Sequence, residues 1–318
     1  MKTFFTKNSK TPSNLGFGST ANEESKERLI NKDGSFNVKR KSLNYFTSLS
    51  LYHSLLDMSW PKFFGLSAIY YSILNIIFAA LYLLVGSDAI GGSPSGTFSG
   101  LLLNAFFFSV QTSSTIGYGH LLPGNTLANI IVTIESFIGL LGVAIITGLL
   151  FARFSKPNAK ILFSENALIS PFQDKKAFMF RIVNARKNQL LEVEAEVNLA
   201  INQIIENKSI RKFHKVELEY SRIPYFPLSW TIVHPIDNNS PLKNLDKDGL
   251  VKADPEFFIL IKGVDDTFNQ YVYSRSSYKI SEIVWGAKFK SIVDRNESKK
   301  KFTIDIGNLS TFEKVDLT

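Results

Sequence analysis

The chain has 318 residues, 45% hydrophobic and 20% charged, with 27 Phe, no Cys and a formal charge of +8, a composition that excludes a disordered chain, a collagen-like repeat and a disulfide scaffold. The charge is unevenly placed: residues 1–62 carry +5, residues 63–151 carry −2 with no Lys or Arg at all, and residues 152–318 carry +5. Basic residues that flank an apolar centre, instead of forming a stripe, read as orientation and headgroup charges, and no nucleic-acid partner is expected.

Residues 1–42 are polar and poor in apolar side chains, which predicts a flexible segment, and they lack the early apolar run of a secretory signal. Residues 43–61 predict an interfacial helix. Within them, Ser48 to Trp60 places Leu51, Tyr52, Leu55 and Leu56 on one face with His53, Ser54 and Asp57 opposite, and Trp60 stands where an interfacial anchor belongs. An ordinary helix packed on a soluble domain is the alternative.

Residues 62–156 read as a membrane domain. Phe63 to Val85 is 23 residues without a charge, a helix of roughly 35 Å that spans a hydrocarbon core of about 30 Å. Leu127 to Phe151 is a second span, interrupted by Glu135, Gly139, Gly142 and Gly148. Between them Thr97 to Thr112 is apolar but too short to cross, so it predicts a re-entrant helix. The stretch Ser113 to His120 follows at membrane depth, where non-helical backbone is tolerated only inside protein or beside a water-filled cavity; the spacing predicts a pore. Lys62 before the first span and Arg153, Lys156 and Lys160 after the second place both termini in the cytoplasm of a cell with this chain in its inner (plasma) membrane.

Thr115-Ile116-Gly117-Tyr118-Gly119 is the strongest motif. An ion leaving water needs its hydration oxygens replaced, and a row of backbone carbonyls can do this if consecutive peptides point the same way. Gly117 and Gly119 make the necessary φ > 0 conformations accessible. The oxygens of Thr115, Ile116, Gly117 and Tyr118 would form rings only if several chains surround one axis.

Residues 157–318 change to short alternating or β-branched runs, Ala177 to Val183, Leu191 to Ala200, Phe213 to Leu218, Trp230 to His234, Phe257 to Lys262, Gln270 to Tyr278 and Phe302 to Ile306. Turn-like groups at Ile236 to Pro241 and Lys243 to Gly249 separate them. This predicts an all-β, immunoglobulin-like sandwich. Four His without metal spacing, no Cys and no P-loop, dinucleotide fingerprint or nucleophile elbow make enzyme chemistry and a bound cofactor unexpected.

In three separated blocks the chain resembles the prokaryotic branch of the inward-rectifier potassium channels. These are Phe106 to Gly119 (FFFSVQTSSTIGYG), Ala152 to Ser164 (ARFSKPNAKILFS), and the signatures Phe180 to Leu191, Trp230 to Leu242 and Tyr273 to Gly286. The resemblance implies a homotetramer that passes K⁺ through the Thr115–Gly119 filter, with K⁺ as transported ion and no other metal. It also implies a pore-lining face of Val143, Thr147 and Phe151 and a hinge at Gly139. With the family's filter ion pair missing, support of the filter is expected from neutral hydrogen bonds and packing around Gln111, Thr112, Ser113 and Ser114, and Glu135, an ionisable residue inside a span, reads either as a functional group or as a carboxylate hydrogen-bonded behind the filter, the role assigned to it here. Phe151 reads either as a hydrophobic gate or as a packing residue, and Gly139 either as hinge or as close contact. Lys62, Arg153 and Lys156 read either as contacts to anionic lipid headgroups or as topology anchors.

Departures from the family pattern matter. Gln111 and Leu121 stand where many eukaryotic members carry an ion pair around the filter. Val143 stands where strong rectifiers carry a carboxylate, so intracellular Mg²⁺ or polyamines would be weak blockers.

Overall fold

The computed structural model describes residues 28–38, 51–92, 97–157, 159–205, 208–226, 229–294 and 303–317. Among them the chain divides into two compact units, one of residues 51–156 and one that joins residues 28–38 to residues 157–317.

The first unit is helical. A short helix α1 (Leu51–Asp57) precedes α2 (Trp60–Val85), the short α3 (Phe98–Ser113) and the long α4 (Thr126–Phe154). With 26 and 29 residues and few charges, α2 and α4 are both long and apolar enough to cross a membrane. The predicted interfacial helix is seen from Leu51 to Asp57 only, since residues 43–50 lie outside the described residues. Trp60 and Pro61 open α2 rather than closing the helix before it, because Pro is suited to the first helical turn, where its missing N–H costs nothing. Asn125 caps α4 by accepting from the Ala128 N–H at 2.9 Å. The loops around α3 are pinned by a small ladder of β1 (Ile90–Gly91) and β2 (Leu122–Pro123).

The second unit is a sandwich. Its strands are β3 (Ile161–Phe163), β4 (Ala167–Phe172), β5 (Lys175–Asn184), β6 (Leu190–Ile205), β7 (Lys208–Val216), β8 (Arg222–Tyr225), β9 (Ser229–Pro235), β10 (Glu256–Asp265), β11 (Gln270–Lys279) and β12 (Ile283–Trp285). One sheet runs β11-β10-β6-β7 with β8 on β6, and the other runs β12-β4-β5-β3 with β9 on β5. Alternate residues of β5, β6, β9 and β10 point between the sheets, and the Phe178 and Phe257 rings stack there at 3.8 Å.

Two expectations need correction. The segment Lys243 to Gly249, read as a turn, leads into a helix α5 (Lys247–Ala253) capped by Asp246, because Leu250 and Ala253 bury against the sandwich. Residues 28–38, placed in a flexible terminus, form a small hairpin on the sandwich. Arg28 pairs with Glu282 at 2.8 Å, Ile30 is buried with Phe213 and Phe258, and the Leu29 N–H donates to Glu256 at 2.9 Å. The rest of residues 1–42 lies outside the described residues.

Candidate functional site

At 16 residues, α3 extends only about 24 Å. Ala105, Phe108, Ser109 and Ser113 form its buried face, and the Phe108 ring meets Tyr82 of α2 edge-on at 5.1 Å. The helix ends at Ser113, and the chain leaves it held by its own last turn. The Thr115 N–H donates to the Thr112 carbonyl at 3.0 Å, and the Gln111 carbonyl accepts from Ile116 N–H at 2.8 Å and from Gly117 N–H at 3.4 Å.

From there φ alternates in sign. Thr115, Gly117 and Gly119 have φ of +56°, +56° and +79°, while Ile116 and Tyr118 keep negative values. Glycine accounts for two of the three left-handed positions. Thr115 is the third, a β-branched residue in a region costly for it, and nothing in the sequence marks it. Residues 115–119 are exposed within the chain, Tyr118 to 76%.

Behind this strand a polar cluster joins three helices. Asn75 of α2 accepts at Oδ1 from the hydroxyls of Ser109 and Ser113, both at 2.9 Å, and donates from Nδ2 to the Tyr71 carbonyl at 2.7 Å. Glu135 of α4 is bonded to the Tyr82 hydroxyl through Oε2 at 2.5 Å and to Ser109 through Oε1. The Tyr71 hydroxyl reaches Ser114 Oγ at 2.5 Å. Of the residues in this cluster, the sequence singles out Ser113, Ser114 and Glu135, but not Asn75, Tyr82, Ser109 or Tyr71. Asn75 had a signal, since an amide in the middle of an uncharged span needs a partner.

Along α4, Val143, Thr147 and Phe151 are all exposed and share one face. Gly139, one turn before Val143 on the same row, is buried instead, so close to α3 that a Cβ there would stand 2.6 Å from the Ser113 carbonyl oxygen. At the end of α4 the Arg153 guanidinium donates to the carbonyls of Leu55 at 2.5 Å, Leu56 at 3.2 Å and Met58 at 2.7 Å. It also lies 4.6 Å from the Trp60 ring and 4.7 Å from the Phe63 ring. Lys156 pairs with Asp57 and holds that carboxyl below the ordinary carboxylate value. Lys62 is exposed.

Residues 69–156 match the ion channel family, and residues 161–318 match the inward rectifier potassium channel C-terminal domain. Over 269 residues the chain is 40% identical to the inward rectifier potassium channel Kirbac3.1 of Paramagnetospirillum magnetotacticum, which takes in 84% of this chain and 90% of that protein. The chain belongs to the inward-rectifier potassium channel family. The channel is also 26% identical over 306 residues to inward rectifier potassium channel irk-1 of Caenorhabditis elegans, covering 88% of this chain and 56% of that one. With the ATP-sensitive inward rectifier potassium channel 12 of Gallus gallus it shares 24% identity over 314 residues, covering 91% and 72%. A K⁺ channel with two membrane helices, a short helix between them and a β-rich C-terminal part is what the sequence blocks implied.

Proposed function

We propose that four copies of this channel surround one axis, and that the backbone oxygens of Thr115, Ile116, Gly117 and Tyr118 and the Thr115 hydroxyl replace the water around K⁺ there. The observation that carries this is the alternation of φ along residues 115–119, the backbone form in which successive carbonyls can face one way. The exposure of this strand in a single chain supports a site completed by other copies. Gln111 and Thr112 hold the strand through their carbonyls, and Ser113, Ser114 and Glu135 hold it through the polar cluster behind.

The exposed face of Val143, Thr147 and Phe151 lines the path below the filter, and a ring of Phe151 side chains closes it by dewetting. With Val143 in that path, Mg²⁺ and polyamines block weakly. Both termini are cytoplasmic, and the sandwich biases the gate. Lys62 and Trp60 face the interface, where each free cation gains about 1 kcal/mol from anionic headgroups. Conduction is passive and needs no cofactor.

Purified channel in liposomes, loaded for Rb⁺ and Na⁺ uptake, tests the assignment. Rb⁺ uptake that greatly exceeds Na⁺ uptake, lost on Gly117→Ala, is expected; equal uptake of the two ions contradicts it.

A further inference from the structure

The polar cluster behind the candidate filter contains more hydrogen bonds than its hydroxyl groups can supply. Four oxygen-to-oxygen bonds run through it, Tyr82 to Glu135, Ser109 to Glu135, Ser109 to Asn75 and Ser113 to Asn75. Each needs one hydrogen, and only the hydroxyls of Tyr82, Ser109 and Ser113 bring one.

Turning the Asn75 amide over does not resolve the shortage. Its Nδ2 lies 2.7 Å from the Tyr71 carbonyl, so a flip would set two carbonyl oxygens against each other. With Oδ1 fixed toward the serines, Asn75 can only accept from them; Ser113 donates to it at 2.9 Å, with the Val110 carbonyl a more distant acceptor at 3.4 Å, and the single Ser109 hydrogen cannot serve Asn75 and Glu135 at once. The bond between Ser109 and Glu135 Oε1 then lacks a hydrogen unless the carboxyl carries it.

We infer that Glu135 is a neutral carboxylic acid at neutral pH, donating its proton to Ser109 while its other oxygen accepts from Tyr82. The surroundings agree. Asn75, Tyr82, Ser109 and Glu135 are all fully buried. No Lys or Arg occurs between Phe63 and Phe151, and Tyr82 is the one titratable group bonded to Glu135 among the described residues. An ionised carboxylate with no cation beside it would be costly to bury there.

The proton completes a clasp from α4 through Glu135, Ser109 and Asn75 to Ser113, two residues before Thr115. Asn75 and Glu135 are thereby positioning residues for the strand that follows. Their bearing on selectivity rests on the filter assignment above; the proton itself does not.

Infrared difference spectra of the full-length channel in lipid vesicles at pH 7, wild type minus Glu135→Gln, read the proton directly. The expected result is loss of one carbonyl band of a protonated carboxylic acid. Loss of carboxylate stretching bands instead overturns the inference. Should Glu135→Gln fail to assemble, Tyr82→Phe keeps the carboxyl and removes one hydrogen bond to it, so the same carboxylic-acid band moves to higher wavenumber; no response in that region overturns the inference. A wild type that takes up both ions equally strikes the filter assignment and leaves the infrared result to decide the proton.

Discussion

Gly139 of α4 lies directly against the backbone of Ser113 at the end of α3. A Cβ at position 139 would meet the Ser113 carbonyl oxygen at 2.6 Å and its Cα at 3.0 Å. Both neighbours are backbone atoms, which cannot swing aside. The glycine is therefore explained by close packing, and any bend of α4 at this point would have to part it from the residue that leads into the candidate filter strand. Gly139→Ala is expected to destabilise the channel by about 1–3 kcal/mol, the usual range for overpacking, and to lower the Rb⁺ to Na⁺ uptake ratio. Thermal unfolding in detergent together with vesicle uptake checks this; an unchanged melting temperature and ratio would show that α3 and α4 part easily.

Arg153 is committed to the turn between α1 and α2, where three carbonyls accept from it and two aromatic rings flank it. A guanidinium so engaged is a clamp before it is a headgroup ligand. Lys offers one ammonium where Arg offers a planar fork, so Arg153→Lys should recover little of what Arg153→Ala loses. The loss expected is about 2–3 kcal/mol of stability, as for hydrogen bonds to a charged group. It should be nearly equal in neutral and in anionic vesicles. A defect of Arg153→Ala seen only in anionic vesicles would return Arg153 to the lipid.

Phe151 is 74% exposed within the chain, one turn below Thr147 on the face assigned to the conduction path. If its rings form the constriction, Phe151→Ala widens it and admits water. The closed-state Rb⁺ leak should rise about tenfold, the scale of removing a dewetted barrier of about 1.4 kcal/mol. Unchanged leak would place Phe151 in packing between helices.

The hairpin of residues 28–38 carries a pH dependence. Burial pushes the Glu282 carboxyl up, but the Lys279 backbone N–H, the Arg28 guanidinium and the Lys32 charge outweigh it, so the carboxyl ends below its ordinary value. A lowered carboxyl contributes stability at pH values above its unfolded value, and loses it as the pH falls through the lowered one. Glu256, where burial dominates over the bonds from Leu29 and Ile30 and the charge of Arg211, is held above its ordinary value, so its contribution is lost instead as pH rises through that value. Amide protection at Leu29 and Asn37 should therefore fall when wild-type channel is acidified below about pH 4, and Glu282→Gln should lack that step. At neutral pH the same variant should lose about 0.5–1 kcal/mol of docking, since the pair with Arg28 is partly exposed. Equal acid profiles for the two proteins would remove Glu282 from the interaction.

Some of this was open to reading in one dimension. The spans α2 and α4 announce themselves because an apolar run longer than 20 residues with at most one charge has few other uses, and Gly117 and Gly119 mark where the backbone must take φ > 0. The α2 start was misplaced by three residues because Trp60 and Pro61 serve an anchor and a helix start equally well. Arg28 and Glu282 could not be paired in advance, since they lie 254 positions apart and neither is unusual locally. Short strands such as β4, β8 and β12 carry too few residues for a period to show, and α5 is only seven residues long. Thr115 looks like an ordinary strand former; its φ of +56° shows only in the structure, where its N–H bonds back to the Thr112 carbonyl. Asn75 was the avoidable omission, because an amide amid Ile and Leu is itself a question about partners.

The proposed filter holds K⁺ among the carbonyls of Thr115 to Tyr118. Crystals of the channel soaked in Rb⁺ and measured at the rubidium edge locate the ion directly. Anomalous peaks along the symmetry axis, level with the oxygens of residues 115–118, are the predicted result; an axis without peaks at that level, with rubidium bound elsewhere, would contradict it.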